Sequence, residues 1–168
     1  MKRIGIVSDS HGNIAALEKM VRQAGKIDLW LHAGDCGEDK RLLEEFSGVP
    51  VEIVRGNNDY TPPFYPYEKT ITIEKVKIYL CHGHQWNSAM RLPSLFYKAQ
   101  ESGAALAVFG HTHVQEAHKE TGIWLFNPGS IARPRDAYDG SYGTAVIQGG
   151  CIQSLKVYRL NGSCKDIE

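Results

Sequence analysis

Three short apolar runs in the first third of the chain, residues 2–8, 28–32 and 51–54, alternate with two segments whose apolar residues recur at helical spacing. The first run carries Ile4, Ile6 and Val7 without alternating charge, as a strand buried on both faces does. Ile14, Leu17, Val21 and Ala24 then fall on one face of a helix that Asn13 can cap and Gly25 can stop. A shorter helix is predicted from Asp39, a second potential cap, with Leu42, Leu43 and Phe46 to one side and Gly48 and Pro50 beyond its end. Strand, helix, strand, helix, strand leaves little topological freedom. Parallel neighbours need a crossover, the crossover is right-handed, and its helix must cover the sheet. The chain is therefore predicted to be α/β.

After residue 60 the texture changes. Residues 60–67 hold three prolines and four aromatics and read as an irregular loop. Residues 70–73 and 76–80, joined through Glu74-Lys75, read as a β-hairpin. A helix is predicted over residues 93–101, with Pro93 at its start, Gly103 at its end and Leu95, Phe96 and Ala99 inward. Residues 106–109 form another apolar strand. Residues 114–118, 123–126, 143–148 and 152–158 are expected to be antiparallel strands. No linker or repeat interrupts them, so residues 1–168 are read as one domain of two sheets packed face to face, too short for a cap domain.

Charge narrows the partners. Nineteen Lys and Arg balance 19 Asp and Glu. A neutral chain is poorly suited to long nucleic acid, whose binding rests on phosphate neutralisation, or to an anionic membrane. No apolar run approaches a membrane span. Met1-Lys2-Arg3 resembles the start of a signal peptide, but the apolar stretch after it stops at Ser8-Asp9. Cys36, Cys81, Cys151 and Cys164 form no CxxC pair and are expected to be free thiols in a reducing, cytoplasmic compartment.

Five predicted strands run into polar residues beside glycine: Asp9-Ser10-His11, Gly34-Asp35, Gly56-Asn57, His82-Gly83-His84 and Gly110-His111-Thr112-His113. Strand carboxyl ends line the ligand crevice of an α/β sheet. On extended backbone, Asp9 and His11 would project to one side, as would His111 and His113. Two carboxylates buried with no basic partner must be neutralised, and the nearest cation, Arg55, lies on the strand side of Gly56. Imidazoles and carboxylates without thiolate suit manganese, iron, cobalt, nickel or zinc rather than calcium. Seven such donors are too many for one ion that keeps an open position. They suit two ions, about 3.5–4 Å apart, sharing a carboxylate.

The ordered series D-x-H, G-D, G-N, H-G-H and G-H-x-H resembles the calcineurin-like metallophosphoesterase superfamily. Asp9-Ser10-His11-Gly12-Asn13 and Asn127-Pro128-Gly129-Ser130 are most similar to its minimal bacterial and archaeal branch of small phosphodiesterases. The resemblance covers residue 2 to about residue 130. It implies a four-layer α/β/β/α sandwich of two mixed sheets flanked by helices. It also implies two divalent transition-metal ions, manganese first, with nickel, iron, cobalt or zinc as alternatives. Asp9, His11 and His113 would hold one ion, Asn57, His82 and His111 the other, and Asp35 would bridge them. A hydroxide shared by the ions would attack phosphorus in line.

Two departures refine this expectation. Phosphomonoesterases of the superfamily usually place a histidine after the G-N asparagine, and here that position is Asn58. An amide donates a hydrogen bond but is no general acid, which favours a phosphodiesterase over a phosphomonoesterase. Many relatives also carry a further Asp where this chain has Cys36-Gly37-Glu38. Asp35, Asn58 and His84 are the candidate catalytic residues, His84 being either a group that orients ligand or phosphate or a loop histidine. The superfamily also includes a non-catalytic scaffold, the retromer coat subunit, which has lost part of the ligand set. All seven ligand positions are filled here, so a small phosphate-ester substrate is expected.

Other residues carry two readings. His32 is expected to be structural or to support a ligand, and His118 to lie at the surface. Asn127 to Ser130 could hydrogen-bond a metal-bound histidine, or form a Pro-Gly turn. Arg133 and Arg135 could reach a substrate phosphate, but are read as lying in a solvated loop. Tyr60, Phe64, Tyr65 and Tyr67 are a substrate lip, loop packing or a homo-oligomer contact.

Overall fold

The computed structural model describes residues 1–37 and 39–167. In chain order the first elements are β1 (Lys2–Val7), α1 (Ile14–Ala24), β2 (Leu29–His32), α2 (Asp39–Ser47) and β3 (Val51–Ile53). There follow β4 (Glu68–Ile73), β5 (Val76–Cys81), α3 (Ser88–Ser102) and β6 (Leu106–Val108). The chain closes with β7 (Gln115–Glu120), β8 (Ile123–Pro128), β9 (Ser141–Gln148), β10 (Cys151–Arg159) and β11 (Cys164–Ile167).

Period-two alternation sorts the side chains into layers. Ile4 and Ile6 of β1, Leu31 of β2, Ile78 and Leu80 of β5, Leu106 and Val108 of β6, and Trp124 and Phe126 of β8 meet in one core between two sheets. The residues between them face outward. Val7 and Trp30 join Leu17, Met20 and Leu43 from α1 and α2 in a second core. Tyr79, Cys81, Ala107 and Leu125 join Leu95 and Ala99 from α3 in a third. The molecule is thus the four-layer α/β/β/α sandwich expected from the sequence.

Among the described residues both sheets are mixed. One runs β11-β10-β9-β1-β2-β3, with β1, β2 and β3 parallel as their helical crossovers require. The other runs β4-β5-β6-β8-β7, and β8 lies parallel to β6. The last third is therefore not purely antiparallel, because β8 enters the sheet beside β6 while pairing antiparallel with β7. Strand β11 was not expected: its Cys164-Lys165-Asp166-Ile167 has no apolar alternation, although Asn161-Gly162 before it is a hairpin turn signal, and it forms by pairing on β10. No helix among the described residues is long and apolar enough to cross a membrane.

Two helix expectations change. Ile14 is 48% exposed, and the buried face of α1 is Ala16, Leu17, Met20 and Ala24. Helix α3 starts five residues before Pro93, because Asn87 caps it by accepting from the Met90 N–H at 3.0 Å. Pro93 sits inside the helix, where burial of Leu95 and Ala99 offsets the hydrogen bond it cannot make.

Gly5 shows how close the outer layer comes. A Cβ at this position would run into the indole ring of the fully buried Trp30. Gly5→Ala should therefore destabilise the protein by about 1–3 kcal/mol through overpacking. In a Trp30→Leu background the same substitution should cost much less, giving a clear coupling in a double-mutant cycle read by urea unfolding. Additive costs would mean that the ring is not the obstacle.

Candidate metal centre

The five polar strand ends meet at one end of the sandwich, and strained backbone makes them meet. Asp9, His11, Asp35, His111 and His113 all have left-handed φ, at 55°, 46°, 55°, 69° and 61°. Asp9 and His11 therefore converge through two left-handed residues, as do His111 and His113, and not through the alternation of an extended chain. For a residue with a Cβ each such conformation costs about 1–3 kcal/mol and persists only where neighbours over-determine it. The restraints are visible. Asp9 N–H donates to the Gly34 carbonyl at 3.0 Å and His11 N–H to the Asp35 carbonyl at 3.0 Å, interlocking the first two loops. Gly110 N–H donates to the His82 carbonyl at 3.0 Å, and Arg135 N–H to the His113 carbonyl at 2.9 Å.

The donors fall into two groups that share Asp35. In the first, ligand atoms of Asp9, His11, Asp35 and His113 all lie within 4.8 Å of one another, a set that could hold a metal ion. His113 Nε2 is 3.2 Å from Asp9 Oδ1, and His11 Nε2 is 3.7 Å from Asp35 Oδ2. In the second, Asn57 Oδ1 lies 3.1 Å from His82 Nε2 and 3.0 Å from His111 Nδ1, while Asp35 Oδ1 is 3.5 Å from His82 Nε2. All seven predicted ligands thus come together.

Chemical fit to a cation is strongest at Asp9. Its carboxylate is fully buried, and Oδ1 has no hydrogen-bond partner, while Oδ2 accepts from Ser8 Oγ at 2.5 Å and the His111 N–H at 3.1 Å. An unpartnered buried carboxylate oxygen is costly unless a cation takes it. The imidazoles are pre-oriented for that cation. His82 Nδ1 donates to the Ala33 carbonyl at 2.6 Å and His113 Nδ1 to the Arg133 carbonyl at 2.8 Å. Both rings therefore turn Nε2 toward the centre.

The electrostatics follow this packing. Burial works to raise the pKa of Asp9, but its ion pair with His113 and the nearness of His82 outweigh it and hold the carboxyl below its usual range. Burial is likewise outweighed at Asp35 by His82 and by Asn58, so it too stays ionised. The ion pair with Asp9 raises His113 against its burial. Burial opposes protonation of His82, but Asp35 and Asp9 overcome it and raise its pKa. Burial lowers His11, and burial together with the neighbouring His82 pushes His111 down to about 4.

A second layer holds the ligands, and its main member was not singled out from the sequence. Buried Asp59 accepts the main-chain N–H groups of Asp35 at 2.9 Å, Cys36 at 2.9 Å, Gly37 at 2.9 Å and Gly56 at 2.7 Å. It ties the Asp35 loop to the Asn57 loop. Gly56 is obligatory there, since a Cβ would collide with the Asp35 carboxylate. Asn58, a candidate catalytic residue, grips Asp35: its N–H reaches Oδ1 at 2.8 Å and its Nδ2 reaches Oδ2 at 2.6 Å. Asp39, expected to cap α2, is the first residue of that helix and turns its carboxylate to the first loop. Its carboxylate accepts from Ser10 Oγ at 2.6 Å and the Gly12 N–H at 3.0 Å. Ser10 Oγ lies 2.8 Å from His32 Nε2, and His32 Nδ1 accepts from the Gly34 N–H at 3.1 Å. His32 is thus structural, and the chain Asp39, Ser10, His32 braces the first two loops from beneath.

The Asn127–Ser130 segment does not touch a histidine ring. Asn127 Nδ2 donates to the Gly110 carbonyl at 2.9 Å and Ser130 Oγ to the Asp9 carbonyl at 2.8 Å, so both hold main chain of ligand loops. His84 stands beside the second group, its ring centroid 5.3 Å from that of His82 and 6.2 Å from that of His111. His118 is at the surface, 2.9 Å from Glu116, and Arg133 and Arg135 are exposed. Cys36 and Cys81 are buried, which raises both thiol pKa values and leaves them as packing groups.

Comparison with known proteins matches this geometry. The family model described as the calcineurin-like phosphoesterase superfamily domain matches residues 1–150. The chain is 34% identical over 146 residues to a Bacillus subtilis protein named probable metallophosphoesterase YsnB, covering 85% of this chain and 83% of that one. It is 29% identical over 169 residues to the Escherichia coli phosphodiesterase YfcE, covering 85% and 86%. A crystal structure from Streptococcus pneumoniae, described as a predicted phosphoesterase, superposes with a TM-score of 0.81 at 30% identity over 99% of this chain and 97% of that one.

Two outcomes follow from the geometry. Asp59→Ala frees four main-chain donors and lets the Asp35 loop part from Gly56. Metal affinity, measured by competition with a fluorescent chelator, should fall about 10–100-fold. Unchanged affinity would show that Asp59 serves the fold alone. The second outcome concerns pH. Because the folded pKa values of His82 and His113 are raised, the metal-free native state keeps protons that the unfolded chain has released above its ordinary histidine pKa of 6.5. That stabilisation is complete below 6.5 and is lost as pH rises through the folded values. The urea midpoint of metal-free protein should therefore decline as pH rises above about 6.5. A flat midpoint would contradict the ion pairs with Asp9 and Asp35.

Proposed function

The chain belongs to the calcineurin-like phosphoesterase superfamily, and from that membership we propose that it hydrolyses phosphodiesters with the help of two divalent transition-metal ions. The observation that carries the reading is the convergence of seven donors in two groups sharing Asp35, with Asp9 Oδ1 buried and unpartnered. Asp9, His11 and His113 would hold one ion, and Asn57, His82 and His111 the other. Asp35 would serve both. The donor set, rich in imidazole, suits manganese, nickel, iron, cobalt or zinc, with manganese first. Such ions acidify water and offset the charge that develops on a phosphoryl group.

The protein's own residues position and insulate. Asn58 fixes both oxygens of Asp35, so that the shared carboxylate cannot rotate away from either group. His84 lies where it can contact a phosphate oxygen, but burial and then His82 lower its pKa, so it is a neutral donor near pH 7 and no ready acid. With an amide at position 58 and a neutral imidazole at 84, the leaving group departs with little help from a protein acid. That favours esters with good leaving groups. It also favours diesters, which carry one negative charge fewer than monoesters to repel a nucleophile. The similarity to a protein named phosphodiesterase supports the same choice. The complete donor set argues against a non-catalytic scaffold. A small ester suits a site formed by short loops at the strand ends, and two exposed thiols, Cys151 and Cys164, suit a reducing cytoplasm.

The reading is tested by turnover of bis(4-nitrophenyl) phosphate. Activity should vanish after exhaustive chelation and return with Mn²⁺ far better than with Ca²⁺. The diester should be cleaved at least about tenfold faster than 4-nitrophenyl phosphate, and alkyl esters slower still, by the roughly 10²–10⁴-fold that general acid catalysis would have supplied. Alkyl monoesters cleaved as fast as the aryl diester would overturn the diesterase assignment.

A further inference from the structure

We infer that the loop from Tyr60 to Tyr67 forms a subsite for a planar aromatic ring carried by one arm of the phosphate ester, an inference that rests on the phosphoesterase reading for where the phosphate sits. The loop divides its four aromatics. Tyr65 turns inward against the core of α1 and α2, whereas Tyr60, Phe64 and Tyr67 are 71%, 60% and 50% exposed. Exposed rings in an irregular loop would ordinarily collapse onto the nearest apolar surface. Here Phe64 and Tyr67 pack against a cation instead. The Arg55 guanidinium lies 4.7 Å from the centroid of Phe64 and 5.4 Å from that of Tyr67. Arg55 is itself fixed: its Nε donates to the Asp59 carbonyl at 3.0 Å and its N–H to the Pro66 carbonyl at 2.8 Å.

The rings are also joined to the metal centre. Tyr67 packs against His84 with centroids 5.9 Å apart, and His84 adjoins His82 and His111. Tyr60 Oη reaches Asn58 Oδ1 at 3.4 Å, on the residue that grips Asp35. A phosphate at the centre therefore has an aromatic bank directly beside it. Arg55 covers one side of Phe64 and Tyr67 and leaves much of each ring open to solvent. Electron-rich faces of this kind stack with flat rings, and such a pair is worth about 0.5–1.5 kcal/mol beyond the area it buries. A cationic ligand is disfavoured, because Arg55 already holds the positive position between the rings. The class of ligand is an ester of phosphate with an aryl or nucleobase-bearing group.

The test is calorimetric titration of the manganese-loaded protein with phenyl phosphate and with methyl phosphate, two monoanionic-to-dianionic phosphates that differ in the ring. Phenyl phosphate should bind about tenfold more tightly, the equivalent of one good stacking contact. In Phe64→Ala/Tyr67→Ala the two affinities should converge to within about twofold of each other. If that double variant loses both phosphates, Tyr67→Phe and Tyr67→Leu decide: the phenyl preference should survive in the first and fall in the second. Equal affinities in the parent protein, no binding of either phosphate, or a preference untouched by Tyr67→Leu and by the double variant would each overturn the subsite. Turnover of bis(4-nitrophenyl) phosphate separates the two ideas. Turnover without a phenyl preference removes the subsite alone, and a phenyl preference without turnover removes the phosphoesterase reading alone.

Discussion

Two carboxylates buried at the end of a β-sandwich are the constraint on which the rest of this structure depends. Asp9 and Asp35 are almost wholly out of water, and both are held ionised by histidines and main-chain or side-chain donors. An isolated buried charge costs many kcal/mol, and removing one partner of a buried pair leaves the other uncompensated. The surrounding chain is therefore committed to supplying positive charge. Without metal that role falls on His82 and His113, whose raised pKa values record it. His113 Nε2, 3.2 Å away, faces Asp9 Oδ1 as an ion-pair partner, and that oxygen accepts no hydrogen bond of its own.

The layers explain how charge can be gathered there at all. The inter-sheet core is built from strands whose alternate side chains face either the other sheet or a helix, so the strand bodies are apolar on both faces. Polar groups can enter only where strands stop. Parallel pairing aligns the ends of β1, β2 and β3, and those of β5 and β6, and packing the two sheets face to face brings the two rows together. The backbone then departs from regular geometry at five of the seven ligands. Left-handed residues aim side chains that a strand would have sent up or down, and interlocking hydrogen bonds between loops hold them there.

Much of this was legible in the sequence, and the reasons for the misses are physical. Strand ends were readable because apolar runs stop abruptly at Asp, Asn or His beside glycine. All seven candidate ligand positions stand at such ends, and the fold brings their side chains to one place. Their local geometry was not readable, since a left-handed backbone at Asp9 or His111 depends on partners more than a hundred residues away, and periodicity carries no sign of it. Asp59 was missed for a related reason. An aspartate two residues after Asn57 reads as a turn residue, and only the folded chain reveals that it gathers N–H groups from two loops. Helix α3 was misplaced because Pro93 is a louder start signal than Asn87, although the asparagine makes the cap. Strand β11 escaped because its residues do nothing that a strand requires by themselves.

The second layer also divides the site by stiffness. Asp59, Asn58 and the chain Asp39, Ser10, His32 restrain the ligand loops with short bonds to buried groups, so those loops can hold strained backbone without relaxing. Nothing comparable stiffens the outer faces of Phe64 and Tyr67, which lie against Arg55 on one side and are open to solvent beyond it, or that of Tyr60, whose hydroxyl reaches Asn58. Chemistry at phosphorus tolerates little displacement of its donors, whereas recognition of a flat ring tolerates sliding of one face over another. Restrained, charged donors inside and open aromatic faces outside are therefore not two accidents of packing. They are the division that is required if one set of strand ends is to hold metal and the loop beside it is to choose the ester.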